Sequence, residues 1–168
     1  MQAQDTTAAN HDTTSFVSGG WVQLGAGLSS MPGFCQGLGL NIRFLNHILF
    51  SVQANDMWAF KTTDSSSFSD VAVMVGYIYP RKNFEFSASC GVSNYTGVSA
   101  NTGNKARGEW SDYTIYSGPG LALRGQTMYV FSKHFAVGLD LYGSVSSSIS
   151  RAMLMLNIAY SPFKWYGR

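Results

Sequence analysis

Apolar and polar residues alternate along most of the chain with a period of two, the period of a β-strand whose two faces meet different surroundings. The alternation is clearest in residues 37–44 (GLGLNIRF), where every second residue is a large apolar one. Residues 71–79, 135–142 and 153–160 repeat it. No convincing run of apolar residues has helical spacing, so the pattern predicts an all-β chain.

Turn residues divide the chain into about eight strands, an even number as closure of a bacterial barrel requires. The predicted strands are 16–29, 35–45, 47–60, 70–80, 84–95, 114–131, 135–146 and 149–162. We therefore expect a closed antiparallel up-and-down transmembrane β-barrel over residues 16–163. Residues 1–15 are predicted to form a flexible periplasmic N-terminal tail, and residues 164–168 a C-terminal tail.

Composition indicates which face of the strands points inward. Only 12% of the residues are charged, against about 25% in soluble domains. A soluble barrel with an apolar lumen would carry Lys, Glu and Asp on its polar face, but here that face consists mainly of Gly, Ser, Asn and Gln. We therefore place the polar face inside and the apolar face against lipid. No segment has the ~18 to 20 consecutive apolar residues of a spanning helix.

Aromatic residues and connection lengths suggest how the barrel sits in the membrane. Short connections are predicted near residues 46–47, 80–83 and 132–134, and longer ones at 61–69 and 96–113; short turns face the periplasm in this class. Beside the short turns we expect an interfacial aromatic girdle of Phe44, Tyr77, Tyr79, Phe84, Phe86, Tyr129, Phe135, Tyr160 and Phe163. A second group is expected at the opposite end: Phe60, Phe68, Tyr95, Trp110, Tyr113 and Tyr116, the last four assigned to an extracellular loop.

Strand parity places a small set of polar residues inside the barrel. This predicted lumen network comprises Arg43, Glu85, Arg124, Asp140, Arg151 and Asn157. Because an unpaired buried charge is costly, we expect Asp140 to pair with Arg124 across the sixth and seventh strands. An eight-stranded barrel has an interior just wide enough for side chains. The favoured interpretation is a structural plug; a narrow path for ions or solutes is the alternative.

The segment from about residue 16 to residue 163 resembles the small eight-stranded outer-membrane barrels, the OmpA/OmpX-like group in its broad sense. The resemblance lies in the strands GLGLNIRF and HFAVGLDLYG, the turn FSKHF and the last strand MLMLNIAYSPF. It implies a location in the bacterial outer membrane. Two Asp-Thr-Thr phrases, at residues 5–7 and 12–14, look like an O-glycosylation motif of Bacteroidota and point weakly to that source.

Catalytic and metal chemistry find little support in the sequence. The histidines His47 and His134 are predicted in tight turns, and the nearby Ser51 and Ser132 lack a carboxylate that could complete a triad. No His, Cys or carboxylate cluster has ligand spacing, although the aspartates flanking the Ser-rich loop (Asp56, Asp64 and Asp70) could hold calcium weakly. We expect no enzyme activity, no metal and no cofactor.

Three hypotheses for the function of the barrel remain open. The leading hypothesis is a non-enzymatic structural or accessory subunit of a larger outer-membrane complex. The alternatives are a surface adhesion or binding protein that uses loop 96–113, and a narrow channel or small-ligand carrier. The expected partners are outer-membrane lipid, lipopolysaccharide and other outer-membrane proteins. A net charge of +2 gives no reason to expect nucleic acid.

Overall fold

Eight antiparallel strands close on themselves in a computed structural model, which describes residues 16–30, 33–59, 67–101, 112–147, 150–163 and 165. Each strand pairs with the next along the chain, and β8 pairs with β1. The strands are β1 (Val17–Ser29), β2 (Gly33–Phe44), β3 (Ile48–Ala59), β4 (Ser67–Arg81), β5 (Phe84–Asn101), β6 (Asp112–Val130), β7 (Phe135–Ser146) and β8 (Ser150–Tyr160). The predicted all-β closed barrel is confirmed. The described part of the chain contains no helix that is long and apolar enough to cross a membrane.

The strand register shows that the strands are tilted. Directly opposed residues can be followed around the barrel from Ala26 in both directions. Through β2 to β5 this path reaches Ser117 of β6, and through β8 and β7 it reaches Thr127 of β6. The path thus returns to β6 displaced by ten positions along the strand. Such a stagger is what tilts the strands of a closed barrel against its axis.

The two faces of the strands differ as the alternation predicts. On β8, Leu156 is 71% exposed, whereas its neighbour Met155 is 1% exposed. The outer wall consists of large apolar side chains, and the lumen contains the polar ones. On β5 the apolar stretch of the wall runs from Phe84 to Val92, which is close to the roughly 9 to 11 residues of a tilted membrane strand. Beyond it the wall becomes polar in one continuous row of opposed residues: Gln36, Asp56, Ser69, Thr96 and Ser117.

The β5–β6 hairpin extends beyond the rest of the barrel. These two strands pair as far as Asn101 and Asp112, but β7 pairs with β6 only from Gly120 onward. The prediction of a loop at 96–113 is therefore wrong at both ends, because backbone pairing continues through small polar residues that are typical of loops. Pro119 lies at the point where β6 loses its partner β7. An edge position of this kind tolerates a residue without an N–H.

Aromatic residues form a ring at the short-turn end of the barrel. All nine girdle residues predicted there are half-buried or exposed. The Phe84 and Tyr129 rings lie 5.1 Å apart, and the Phe135 and Tyr160 rings lie 5.3 Å apart. Rings at this position, half apolar and half in contact with headgroups, are typical of a membrane interface.

The second aromatic group differs from the prediction. Phe68 and Tyr95 point into the lumen, where they are 8% and 3% exposed, and Tyr95 is a residue of β5 and not of a loop. Tyr116 is an exposed residue of β6. Phe60, Trp110 and the side chain of Tyr113 lie outside the described residues. The wall at this end instead carries Phe34 and Trp58, whose rings stack at 6.3 Å.

Candidate functional site

The middle of the lumen is organised around an ion pair between adjacent strands. Arg124 of β6 donates from Nε to both carboxylate oxygens of Asp140 of β7, at 3.0 and 2.8 Å. Asp140 is completely buried, and Arg124 is 4% exposed. Asp140 lies opposite Gln126 and Arg124 opposite Tyr142, so the contact is diagonal across the hairpin. Two charges enclosed in this way compensate each other's loss of hydration.

Amide side chains from β1, β2 and β8 complete this pair. Asp140 Oδ2 also accepts hydrogen bonds from Gln23 Nε2 at 3.2 Å and from Asn157 Nδ2 at 3.1 Å. Arg124 Nη1 donates to Asn41 Oδ1 at 3.0 Å. Because Arg124 and Asn41 belong to β6 and β2, which lie four strands apart in the closed ring of eight, the network crosses the lumen. It links opposite walls of the barrel and fills the space through which a solute would have to pass.

The end of the lumen near the short turns is closed by a second ion pair and by two tryptophans. Arg43 Nη1 donates to Glu85 Oε1 at 3.0 Å. Trp165, which follows β8, folds under the barrel so that its ring lies 5.1 Å from that of Trp21. Trp165 is 3% exposed, and its backbone N–H donates to the carbonyl of Lys133 at 3.2 Å. The remaining side chains of this apolar layer are Leu49, Ile78, Met128, Val130, Ala136 and Ala159.

The opposite end of the lumen contains Arg151 between two aromatic rings. Its guanidinium carbon lies 5.3 Å from the centre of the Phe68 ring and 5.2 Å from that of Tyr95, which is cation–π geometry. Beside it, Tyr142 donates its hydroxyl hydrogen to Asp70 Oδ1 at 2.6 Å. Between this layer and the middle network lies an apolar layer that includes Cys35, Met74, Met153 and Met155.

The structure brings the residues of the predicted lumen network together in parts. Arg124, Asp140 and Asn157 share the central network, whereas the Arg43–Glu85 pair and Arg151 belong to opposite ends of the lumen. Asp70 and Trp165 are also buried in the lumen, although neither is among the residues predicted there from the sequence. Strand parity could have identified Asp70, since it shares a face with Met74; no periodic signal covers Trp165.

The histidines have structural partners in the turns. His47 Nδ1 lies 3.3 Å from the carbonyl oxygen of Ile78, and His134 Nδ1 lies 2.9 Å from that of Ser161. The serines near them in sequence are committed elsewhere. Ser51 donates to Asn41 inside the lumen at 2.7 Å, and Ser132 Oγ accepts a hydrogen bond from the backbone N–H of Phe135 at 3.0 Å.

Metal ligands do not converge in the described part of the chain, where no group of three or more His, Cys, Asp or Glu side chains could hold an ion. Asp56 accepts a hydrogen bond from Ser69 on the outer wall, whereas Asp70 points into the lumen. Asp64 lies outside the described residues. The cysteines also face opposite sides: Cys35 is buried in the lumen and Cys90 is exposed on the wall, and both are free thiols.

Solved structures share this architecture at low sequence identity. The neisserial surface protein A barrel has a TM-score of 0.66 and 13% identity, covering 90% of this chain and all of that one. Ail, the attachment invasion locus protein of Yersinia pestis, has a TM-score of 0.60 and 11% identity, covering 85% and 98%. The N-terminal barrel domain of Pseudomonas aeruginosa OprF has a TM-score of 0.63 and 10% identity, covering 84% and 96%. No protein-family model matches the chain, and no curated protein matches its sequence.

The fold, the apolar wall and the aromatic ring together define the class. The protein is a small eight-stranded β-barrel of the bacterial outer membrane, with a closed antiparallel sheet and a lumen filled by its own side chains. Identities this low establish the fold alone, and none of the similar structures supports a source in Bacteroidota.

Proposed function

We propose that this barrel is a non-enzymatic accessory subunit that binds other outer-membrane proteins through the free edge of its β5–β6 hairpin. The observation that supports this is the stretch of β6 from Asp112 to Pro119. It pairs with β5 on one side, but no described strand pairs with it on the other. An unpaired strand edge presents N–H and C=O groups to another chain, and adding a strand to such an edge is a common mode of recognition.

The filled lumen supports a role on the surface of the barrel. The Arg124–Asp140 network spans the middle of the lumen, and Trp165 lies beneath it. His47 and His134 contact backbone carbonyl groups at the turns, and Ser51 and Ser132 make other hydrogen bonds. These four residues therefore supply no paired nucleophile and base. We therefore assign neither catalysis nor conduction to the protein. Lipid and lipopolysaccharide are the expected surroundings of its apolar wall.

Pro119 suggests how to block the free edge without disturbing the hairpin. Pro119 has no N–H to donate to a neighbouring strand. We therefore expect its backbone nitrogen to face the edge of β6 that has no partner. Alternate residues of a strand direct their N–H groups to the same side, so Ser117 is expected to direct its N–H to the free edge as well. Replacing Ser117 by proline then removes a donor from the edge and leaves the pairing with β5 intact.

The test is co-purification with a matched control. Tagged parent protein is extracted from outer membranes in mild detergent, and its stoichiometric neighbours are identified by mass spectrometry. The proposal predicts neighbours that are lost from Ser117→Pro and retained by Ser117→Ala. A parent protein that purifies without any stoichiometric neighbour would contradict the accessory role.

A surface-binding role is the second candidate. It is favoured by the exposure of Ile115, which is 70% exposed on the part of the hairpin beyond β7. One protein of similar fold, Ail, is named for attachment and invasion. If adhesion is the function, cells that carry the barrel bind host cells or matrix, and shortening the hairpin abolishes this binding while the barrel still folds.

A further inference from the structure

A recess lies in the outer wall at the short-turn end, between the β4–β5 turn and the aromatic girdle. Its volume is about 370 Å³, which lies within the roughly 300 to 1,000 Å³ of small-molecule sites. Five residues line it: Arg81, Lys82, Asn83, Phe84 and Phe86. Two are basic and two are aromatic, so the recess has a cationic side and an apolar side.

The apolar side belongs to the girdle. Phe84 and Phe86 point outward, at 43% and 42% exposed, and their rings stack at 6.2 Å. The ring of Tyr129 lies 5.1 Å from Phe84 and holds it from the β6 side. In a bilayer these rings lie at the depth where hydrocarbon meets the headgroups.

Among the described residues, the cationic side has no acidic partner. Arg81 and Lys82 are both exposed. The nearest acidic residue in sequence is Glu85, but it points into the lumen, where Arg43 binds it at 3.0 Å. In the described residues of the three turns at this end, the charged side chains are basic and none is acidic. The positive charge is therefore available to a ligand.

The backbone of the turn is strained at Lys82, as it is at Leu45 in the β2–β3 turn, where φ is 46°. Lys82 has a φ of 54°, in the left-handed region. Glycine and asparagine adopt this conformation with less strain, and hairpin turns prefer them there. A lysine in such a position is a strained choice, and strain of this kind is concentrated at functional sites.

We propose that the recess binds the headgroup of an anionic phospholipid of the periplasmic leaflet. The phosphate contacts Arg81 and Lys82, and the glycerol and the start of an acyl chain pack on Phe84 and Phe86. The short turns place this end of the barrel at the periplasmic leaflet. An anionic headgroup with an attached acyl chain matches a recess that is cationic on one side and apolar on the other. A free anion would make no contact with the aromatic rings.

Native mass spectrometry of the purified barrel tests the site. The protein is titrated in detergent with phosphatidylglycerol or with phosphatidylcholine, and the affinity for the first bound lipid is measured. The double variant Arg81→Gln/Lys82→Gln is compared with Lys133→Gln, which removes a cation of the same rim outside the recess. A heat-dependent shift in gel mobility checks that each variant is folded.

The parent is expected to bind phosphatidylglycerol more tightly than phosphatidylcholine. The double variant should lose about 30-fold in this affinity, since each basic residue at an anionic membrane surface contributes roughly fivefold. Lys133→Gln should change the affinity for phosphatidylglycerol less than threefold, because Lys133 lies outside the recess. A cation that contacts the lipid would contribute about fivefold. Equal losses in both variants, or no preference in the parent, would overturn the proposal. Displacement by glycerol phosphate at similar concentration would also overturn it, because the site would then take a free phosphate.

Discussion

Gln23 on β1 and Asp140 on β7 meet in the middle of the lumen, where Gln23 Nε2 donates to Asp140 Oδ2 at 3.2 Å although 117 residues separate them in sequence. The same carboxylate accepts both hydrogen bonds of the Arg124 Nε. The contact therefore exists only when β8 has closed the sheet onto β1. It links the ion pair of the β6–β7 hairpin to closure of the barrel. The network should therefore be stable only when the sheet is closed.

Removing one charge of the central pair should destabilise the barrel strongly. Asp140→Asn leaves Arg124 buried without a counter-charge, and such a change costs about 3 to 5 kcal/mol. Arg124→Gln should have a similar effect, and the double variant should lose less than the sum of the two. Urea unfolding of the protein folded in lipid vesicles measures all three free energies. Unchanged midpoints in the single variants would show that the pair is not needed.

Two glycines of the β6–β7 hairpin should respond oppositely to alanine. A Cβ on Gly138 would collide with the carbonyl oxygen of Thr127 and the side chain of Met128, whereas a Cβ on Gly125 meets nothing within 4 Å. Neither has a left-handed backbone. Gly138→Ala should therefore lose about 1 to 3 kcal/mol to overpacking. Gly125→Ala should be neutral or gain about 0.4 to 1 kcal/mol.

The same unfolding measurement applies to both glycine variants. Each is compared with the parent under identical lipid conditions, so differences in the bilayer cancel. A destabilised Gly125→Ala together with an unaffected Gly138→Ala would mean that the two positions face the opposite way from the structure.

Trp165 should matter for stability more than for closure of the lumen. Its ring is buried against Trp21, and replacing a buried Trp by Ala costs about 3 to 5 kcal/mol. Trp165→Phe, which keeps a ring, should lose much less. Because the Arg124–Asp140 network lies above this layer, Trp165→Ala should still show no current in planar bilayers. A steady conductance in this variant would show that the tryptophan alone seals the lumen.

The predictions from sequence succeed where one strand or two adjacent strands decide the outcome. Alternation around Leu38 and Asn41 is a property of a single strand and shows which residues share a face. The Arg124–Asp140 contact needs only the β6–β7 hairpin. The contact of Gln23 with Asp140 cannot be predicted from one strand or one hairpin, because it depends on the stagger of the whole closed sheet. The prediction of a loop at Tyr95 is wrong because the small polar residues after it continue a backbone pairing that no side-chain pattern reveals.

The two cysteines offer a direct test of which face looks outward. Cys35 is buried in the lumen and Cys90 is exposed on the wall, and neither is in a disulfide. Single-cysteine variants, Cys35→Ala and Cys90→Ala, are labelled with a bulky maleimide dye while unfolded in urea and are then refolded into detergent.

A label on Cys90 adds bulk towards detergent and should leave folding intact. A label on Cys35 must enter a filled lumen and should block folding, because a close-packed interior cannot take extra volume. Unlabelled samples of both variants are the controls and should fold. If the labelled Cys35 protein folds and the labelled Cys90 protein does not, the apolar face is enclosed and the assignment of the wall to lipid is wrong.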